Sequence, residues 1–448
     1  MKINPKIFKT YDIRGVYPNE INSDVTYAIG RALANFFSEN DIIIGRDARN
    51  SSDALFDALV EGIRDENKNV INIGVVATEV LYFAVGKNKL PGLMITASHL
   101  TGEYNGIKVC SADVIPIGKE NGLLKVKEII EKISFNEKKE KGNIKKQDFL
   151  VEYIEHILGF TELNNIKPLS IVADAGNGVG GKSLSLMFEK ISCRVKSLYF
   201  NPDGNFPNHP ADPLVEENLK NLQNEIKKNE ADFGLALDGD GDRIFFVDEN
   251  SQIIPGSFIV AVLAEKLLKD KPNSKIVYNA VCSKIVPEVI IRNGGEPIQE
   301  RVGHIFMKSK LKETNAIFGG EHSGHYYFKY NFGAESSVLV LLLMLEVISK
   351  ADKTLSEIIK PYQKYSRIPE KNFKVEDKTK ILQKIEEYYK KRKEAAEISY
   401  LDGLTVGFND WWFNLRPSNT EPYLRLNMEA ENEDLLKEKL NKLKKLIV

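Results

Sequence analysis

Ile42-Ile43-Ile44 runs into Gly45-Arg46-Asp47, Ile171-Val172-Ala173 into Asp174-Ala175-Gly176, and Ile276-Val277-Tyr278 into Asn279-Ala280. Each is a short β-branched run that breaks into a polar turn ahead of a helical pattern, which predicts α/β construction with parallel or mixed sheets. Starts at residues 42, 171 and 276 lie too far apart for a solenoid and suit an α/β domain repeated three times. Between the first two, Lys119 to Asp148 is rich in Lys and Glu, with apolar positions at Leu123, Val126, Ile129 and Ile130, and reads as a solvated linker helix. Val338 to Leu345 is uniformly apolar but far short of the roughly 20 residues of a membrane span, so it reads as a buried helix. After Lys374 the pattern changes to a charged helix, a strand near Thr405 to Phe408, the Trp411 to Asn427 segment and a closing Lys/Glu/Leu helix. That predicts a smaller α+β fourth domain.

Bulk composition agrees with several lobes. A chain of 448 residues exceeds what one hydrophobic core holds, and 42% apolar with 28% charged residues is ordinary for a globular protein. Lys plus Arg (62) nearly cancels Asp plus Glu (63), so no basic field points to nucleic acid or an anionic membrane, and recognition of an anion must be local. The three cysteines, Cys110, Cys193 and Cys282, are odd in number and lack CxxC spacing. Neither a disulfide framework nor a zinc site is indicated, and a reducing cytoplasm fits. Met1 to Gly15 carries charged and polar residues throughout and lacks the apolar stretch of a secretory signal.

Five clusters bear on chemistry. Asp238-Gly-Asp240-Gly-Asp242-Arg243 lies between the apolar runs Phe233 to Leu237 and Ile244 to Val247, so a carboxylate-rich turn sits at a strand end. Alternate spacing turns three hard oxygen ligands toward one point and the glycines let the backbone curl, a pattern suited to magnesium or calcium. Asp238, Asp240, Asp242 and Glu249 also match positions one, three, five and twelve of an EF-hand, but Arg243 stands where that loop needs glycine and the flanks read as strand. Gly176-Asn-Gly-Val-Gly-Gly181-Lys182-Ser183 matches the P-loop pattern, with a Gly-rich packing turn as the alternative. Thr96-Ala97-Ser98-His99 leaves the strand Gly92 to Ile95 on a loop, where Ser98 is either a turn residue or a hydroxyl activated for phosphoryl transfer by its neighbours. Gly320-Glu321-His322-Ser323-Gly324-His325 offers a carboxylate, a hydroxyl and imidazoles to a polyol, and Arg416-Pro-Ser418-Asn419-Thr420-Glu421-Pro422 pairs a guanidinium with small donors suited to phosphate.

In this order, together with Thr10-Tyr-Asp-Ile-Arg14-Gly15 and Gly45-Arg-Asp47, the segments resemble the α-D-phosphohexomutase superfamily, and in particular its phosphomannomutase/phosphoglucomutase branch. The resemblance spans the whole chain. It implies three related α/β domains, at 1–148 with a phosphoserine loop, 149–250 with a metal-binding loop and 251–368 with a sugar-binding loop, and a smaller α+β domain at 369–448 with a phosphate-binding loop, around a central cleft. It implies a magnesium ion on Ser98, Asp238, Asp240 and Asp242, with His99, Lys108 and Arg243 around it. It further implies that Ser98 carries a phosphoryl group and that the chain interconverts hexose 6-phosphate and hexose 1-phosphate through a hexose 1,6-bisphosphate, which is also the activator.

By the same resemblance Glu321 and Ser323 hold ring hydroxyls, and His304 and His325 line the cleft. Arg416, Ser418, Asn419 and Thr420 anchor the distal phosphate, while Tyr11 and Arg14 help from the first domain. Lys108 and His304 are the implied proton carriers. The Gly176 to Ser183 turn then binds no nucleotide. Departures are Leu100-Thr101 where Asn-Pro is common, and Val281 where a basic residue is common, with Lys284 three residues on as its replacement. Phe206-Pro-Asn-His209-Pro and His322 favour mannose phosphate, then glucose phosphate, over glucosamine phosphate; a sugar-phosphate-binding protein without turnover is the other alternative. A cytoplasmic enzyme acting on a small sugar phosphate, as monomer or homodimer, with no nucleic-acid or membrane partner, is the resulting expectation.

Overall fold

The computed structural model describes residues 3–132, 140–391, 397–418 and 422–447. Three sheets share one strand order, and that order places the functional loops. In the first sheet the strands run Ile13–Val16, Tyr104–Cys110, Gly92–Ile95, Asp41–Arg46, Asn69–Val75 and Ile144–Lys146. In the second they run Ile253–Ile254, Ile244–Asp248, Phe233–Leu237, Ser170–Asp174 and Arg194–Leu198, and in the third Tyr326–Phe328, Phe318–Gly320, Lys275–Asn279 and Glu296–Glu300. Each sheet therefore holds the same four-strand kernel: an antiparallel hairpin whose incoming strand pairs in parallel with the kernel's opening strand, which pairs in parallel with the strand after it. The three β-branched runs noted in the sequence are those opening strands, buried in the middle of their sheets. The fourth sheet is antiparallel, ordered Ser366–Arg367, Tyr423–Ala430, Trp411–Pro417, Leu404–Gly407 and Glu397–Ser399, and it packs against helices Lys378–Lys390 and Glu433–Ile447.

Beside smaller cores of their own, the first three units share one. One apolar cluster runs through Val80 and Val85, through Ile171 and Phe233, and through Val338 to Leu345. At its centre lies helix Ser337–Ala351, which is apolar all round and buried accordingly. Ser336 caps it by accepting from the Leu339 amide (3.0 Å), while Glu79 of the first domain accepts from the Ser337 amide (2.8 Å). Among the described residues no helix is long and apolar enough to cross a membrane.

Two readings from sequence change, and the glycine-rich turn is a packing turn. The Lys119 to Asp148 stretch is not a solvated linker. Leu123, Val126 and Ile130 bury against the first core, and Ile144–Lys146 closes the first sheet beside Asn69–Val75; residues 133–139 of the stretch lie outside the described residues. Two edge strands cross the drawn domain limits, since Ile253–Ile254 completes the second sheet and Ser366–Arg367 the fourth. The P-loop look-alike has no room for a phosphate. A Cβ on Gly178 would stand 2.5 Å from the Gly239 carbonyl and one on Gly181 would stand 2.6 Å from the Phe200 carbonyl. The Val179 amide donates to Gly239 (3.1 Å), and the exposed Lys182 ammonium donates to the Val75 carbonyl (3.4 Å). The glycines let backbone meet backbone, and what they cradle is the acidic hairpin.

Two outcomes follow from this packing. Gly178→Ala should push the Gly239 carbonyl out of place and reduce activity at least about tenfold, whereas Lys182→Ala should leave activity and melting temperature unchanged; steady-state assays and thermal melts of the two variants check this. Glu79 is buried, and burial pushes its carboxyl up to about 8 from 4.5, although Tyr153 and the Ser337 amide work in the opposite direction. The folded chain thus keeps a proton that the unfolded chain releases, so this group's contribution to stability falls as pH rises from about 4.5 to about 8. Glu79→Gln should melt higher than the parent at pH above 8 and the gap should close near pH 5 (about one pH unit either way), as measured by melts across pH.

Candidate active site

Each of the first three motif loops is the turn of an antiparallel hairpin, Thr96 to Glu103 in the first domain, Asp238 to Arg243 in the second and Glu321 to His325 in the third, while Arg416 lies near the end of strand Trp411–Pro417, which pairs antiparallel with Tyr423–Ala430 in the fourth. Because the kernels are alike, the first three turns leave equivalent edges and meet. Ser98 has φ +54, a left-handed conformation that costs a residue with a side chain roughly 1–2 kcal/mol. Its amide donates to Thr96 Oγ1 (2.9 Å), and its hydroxyl is turned inward, donating to Asp238 Oδ2 at 2.8 Å and lying 3.2 Å from His99 Nδ1. Ser98 is 2% exposed, so this is a buried hydroxyl beside a carboxylate rather than a surface turn.

Asp238, Asp240 and Asp242 bring ligand atoms within 4.8 Å of one another, all buried. Burial and the two neighbouring carboxylates push Asp238 well above the usual range, as expected when like charges crowd in a dry site. Lys108 is the main counter-charge, with Nζ 2.6 Å from both Asp240 Oδ2 and Asp242 Oδ2. Burial alone would depress its ammonium, but the two carboxylates outweigh burial and hold it above its ordinary value. Asp242 is held well below its ordinary range, since Lys108 and His325 outweigh its burial. Thr78 donates to Asp240 Oδ2 (2.6 Å), Arg243 Nε stands 3.6 Å from Asp238 Oδ2, and His325 Nε2 stands 3.4 Å from Asp242 Oδ1. Asp240 Oδ1 and Asp242 Oδ1 remain buried without a hydrogen-bond partner. Two orphaned carboxylate oxygens beside Asp238 and a serine hydroxyl form a hard-oxygen donor set that fits a magnesium-class cation. The EF-hand reading fails on topology, because the flanks pair as a hairpin and Glu249 is turned away onto Ser356.

The third turn is braced by its own domain. Glu321, read as an acceptor for sugar hydroxyls, already accepts from Asn279 Nδ2 and the Gly303 amide (3.0 Å each) and from the Tyr327 hydroxyl. Ser323 Oγ lies 3.1 Å from His325 Nδ1. His304 opens helix His304–Thr314, stacks on His325 (centroids 6.4 Å apart) and meets the edge of Tyr11 (5.9 Å). Its Nδ1 is buried without a partner, and burial, then Lys308 and Lys108, keep the ring neutral. His99 is also kept neutral, by burial and then by Arg243 and Arg14. Tyr11 donates to the Val302 carbonyl (3.0 Å), and burial followed by Glu321 pushes its phenol up to about 12. Arg14 is paired with Asp12. His322 faces Ser257 (3.0 Å), where burial and then Arg367 push it down to about 3.

From the fourth domain Arg416 donates to Glu370 (2.8 Å) and, with Tyr11, lines a cavity of about 290 Å³. Ser418 is buried, with its amide on the Tyr423 carbonyl (2.8 Å), while Asn419 and Thr420 lie outside the described residues. Lys284, offered as a substrate contact, is not brought to the triad. Its ammonium donates to the Phe408 and Asn409 carbonyls (3.1 and 3.4 Å) and ties the third domain to the fourth. Sequence reasoning missed Thr78, Asn279 and Tyr327, which orient the acidic groups. Thr78 carried a weak signal as a hydroxyl residue at the start of an apolar helix, and the other two carried none.

Comparison with known proteins places this geometry. Profiles described as Phosphoglucomutase/phosphomannomutase, alpha/beta/alpha domain I, domain II and domain III, and C-terminal domain match residues 5–137, 151–252, 255–365 and 370–445 in turn. A phosphomannomutase of Methanocaldococcus jannaschii is 38% identical over 445 residues, covering 98% of this chain and 97% of that protein. A phosphomannomutase of Vibrio cholerae is 37% identical over 455 residues, covering 98% of each. A solved phosphoglucomutase/phosphomannomutase family protein from Burkholderia thailandensis superposes with a TM-score of 0.91 at 30% identity, covering 100% of this chain and 98% of that one. With three like kernels, a serine on a buried acidic triad and matches along its whole length, the chain belongs to the phosphoglucomutase/phosphomannomutase family of mutases.

Proposed function

We propose that the chain interconverts hexose 6-phosphate and hexose 1-phosphate, mannose phosphate first and glucose phosphate beside it, through phosphoserine at Ser98 and a hexose 1,6-bisphosphate. The observation that carries this is the Ser98 hydroxyl 2.8 Å from Asp238 in a triad with two orphaned carboxylate oxygens. Magnesium held by Ser98, Asp238, Asp240 and Asp242 would neutralise charge on the transferring phosphoryl group. The chain's own groups do the rest. The bond between Ser98 Oγ and phosphorus breaks as phosphorus bonds to the free hydroxyl oxygen of the sugar, and that hydroxyl's proton passes to the neutral His304 imidazole. Lys108 stays an ammonium and, with Arg243, meets phosphoryl oxygens as charge leaves the serine. The bisphosphate turns end over end, its other phosphate moves to Ser98, and the proton returns from His304 to the freed sugar oxygen.

Turning requires a second anchor that serves either phosphate. Arg416 and Ser418, with Asn419 and Thr420 beside them in sequence, supply it, and Tyr11 and Arg14 reach the cleft from the first domain. Ser323 and His325 face ring hydroxyls, while Glu321, braced by Asn279, Gly303 and Tyr327, offers its remaining lone pairs. The names of the two relatives favour mannose phosphate. The three cysteines are unpaired, which suits a reducing cytoplasm.

The test is purified protein with magnesium and a catalytic amount of hexose 1,6-bisphosphate, offered mannose, glucose and glucosamine 1-phosphates in parallel. Mannose phosphate should turn over fastest and glucosamine phosphate slowest, and failure on all three overturns the reading. Ser98→Ala should lower kcat by at least about 10³-fold with the fold intact. Thr78→Val, which leaves Lys108 alone to orient Asp240, should raise the magnesium concentration for half-maximal activity about tenfold. A magnesium titration at saturating substrate measures it.

A further inference from the structure

Among the described residues, Arg49 is the guanidinium whose donors close on the carbonyls of the serine loop. Its side chain is fully buried, and none of its donors faces the cleft. A guanidinium has five N–H donors in a rigid plane, and here the structure gives each a partner. Nε donates to Asp47 (3.0 Å), NH1 to the carbonyls of Thr101 (2.7 Å) and Tyr104 (3.1 Å), and NH2 to the carbonyls of Ser98 (2.8 Å) and Leu100 (2.6 Å). Asp47 is fixed in turn by the Arg49 amide (3.0 Å) and the Ser52 hydroxyl (2.5 Å). Four carbonyls of one loop thus converge on one planar cation.

The loop needs such a hold. Ser98 is at φ +54, and Leu100-Thr101 contains no proline to restrict it. Rotation of the Ser98 peptide would swing Oγ off Asp238, and the Ser98 carbonyl is the atom on which Arg49 NH2 closes. The second domain covers the fork. The Phe206 ring centroid is 5.3 Å from the Arg49 guanidinium carbon, Asn50 Nδ2 donates to Asn205 (2.7 Å), and a Cβ on Gly204 would meet the Ala48 carbonyl at 2.5 Å. The fork therefore sits where the serine loop, its own strand end and the metal-loop domain join.

We propose that Arg49 is a positioning residue for phosphoryl transfer: its fork holds Ser98 in the left-handed conformation that aims Oγ at the acidic triad, without touching substrate. The proposal rests on Ser98 being the phosphoryl carrier. Lysine cannot replace the fork, since an ammonium is a point charge with three donors that cannot span four carbonyls in a plane. Arg49→Lys and Arg49→Gln are to be compared with the parent protein for melting temperature, for kcat and KM, and for the fraction of Ser98 phosphorylated by hexose 1,6-bisphosphate, read by intact mass and peptide mapping. Both variants should fold, lose about 100-fold in kcat with KM changed by less than about threefold, and acquire phosphate on Ser98 correspondingly slowly. A lysine variant with kcat within about twofold of the parent, or a loss expressed wholly in KM, overturns the proposal. Failure of both variants to fold also overturns it, by making Arg49 a residue of the fold. A parent protein that turns over but never carries phosphate on Ser98 removes the premise instead, and so separates failure of the phosphoserine reading from failure of the positioning role.

Discussion

Three carboxylates buried together at one hairpin turn are the constraint on which the rest of this structure depends. Asp238, Asp240 and Asp242 cannot all stay ionised and dry beside one another unless cationic or donor groups come to them. The second domain alone supplies Arg243. Lys108, Thr78 and the Ser98 hydroxyl come from the first domain, and His325 and the Ser337 hydroxyl on the Gly241 carbonyl (2.9 Å) come from the third. Compensating the triad and assembling the domains are therefore one process, and it places the Ser98 hydroxyl against the acidic groups. Asp240 Oδ1 and Asp242 Oδ1, which accept no hydrogen bond, mark where a divalent cation would complete the set.

Repetition of the four-strand kernel explains how one geometry supports several tasks. A hairpin turn leaves each of the first three sheets at the equivalent edge, and only the residues of the turn differ: a serine and histidine, three aspartates, or a glutamate flanked by serine and histidine. The rigid part is shared and the chemistry sits on the turns, as loops on a scaffold allow. Helix Ser337–Ala351 then joins the three units through one apolar cluster, so that the units pack on a common core.

Much of this could be read from residues in sequence. The opening strands announced themselves as β-branched runs, the acidic turn as alternating Asp and Gly between apolar flanks, and the fourth domain as a change of pattern after Lys374. What escaped depends on pairings between residues far apart in the chain. Letters cannot say what fills a glycine turn, and Gly176 to Ser183 looks like a phosphate cradle although backbone carbonyls of Gly239 and Phe200 occupy its concave side. Lys284 was placed by sequence offset alone, and its long side chain reaches the fourth domain instead. The Lys119 to Asp148 stretch looked solvated because three buried apolar positions are outnumbered by charges on the opposite face. Thr78 and Tyr327 act through partners that only the fold supplies.

The central claim is that the hydroxyl aimed at the triad is the one that carries the phosphoryl group. It is tested most directly by exposing the purified protein to magnesium and hexose 1,6-bisphosphate, quenching, and mapping phosphorylated peptides by mass spectrometry. The account predicts a single phosphate, on Ser98, that disappears when hexose monophosphate is added. Phosphate on another residue, or none on a preparation that is turning over substrate, would contradict it.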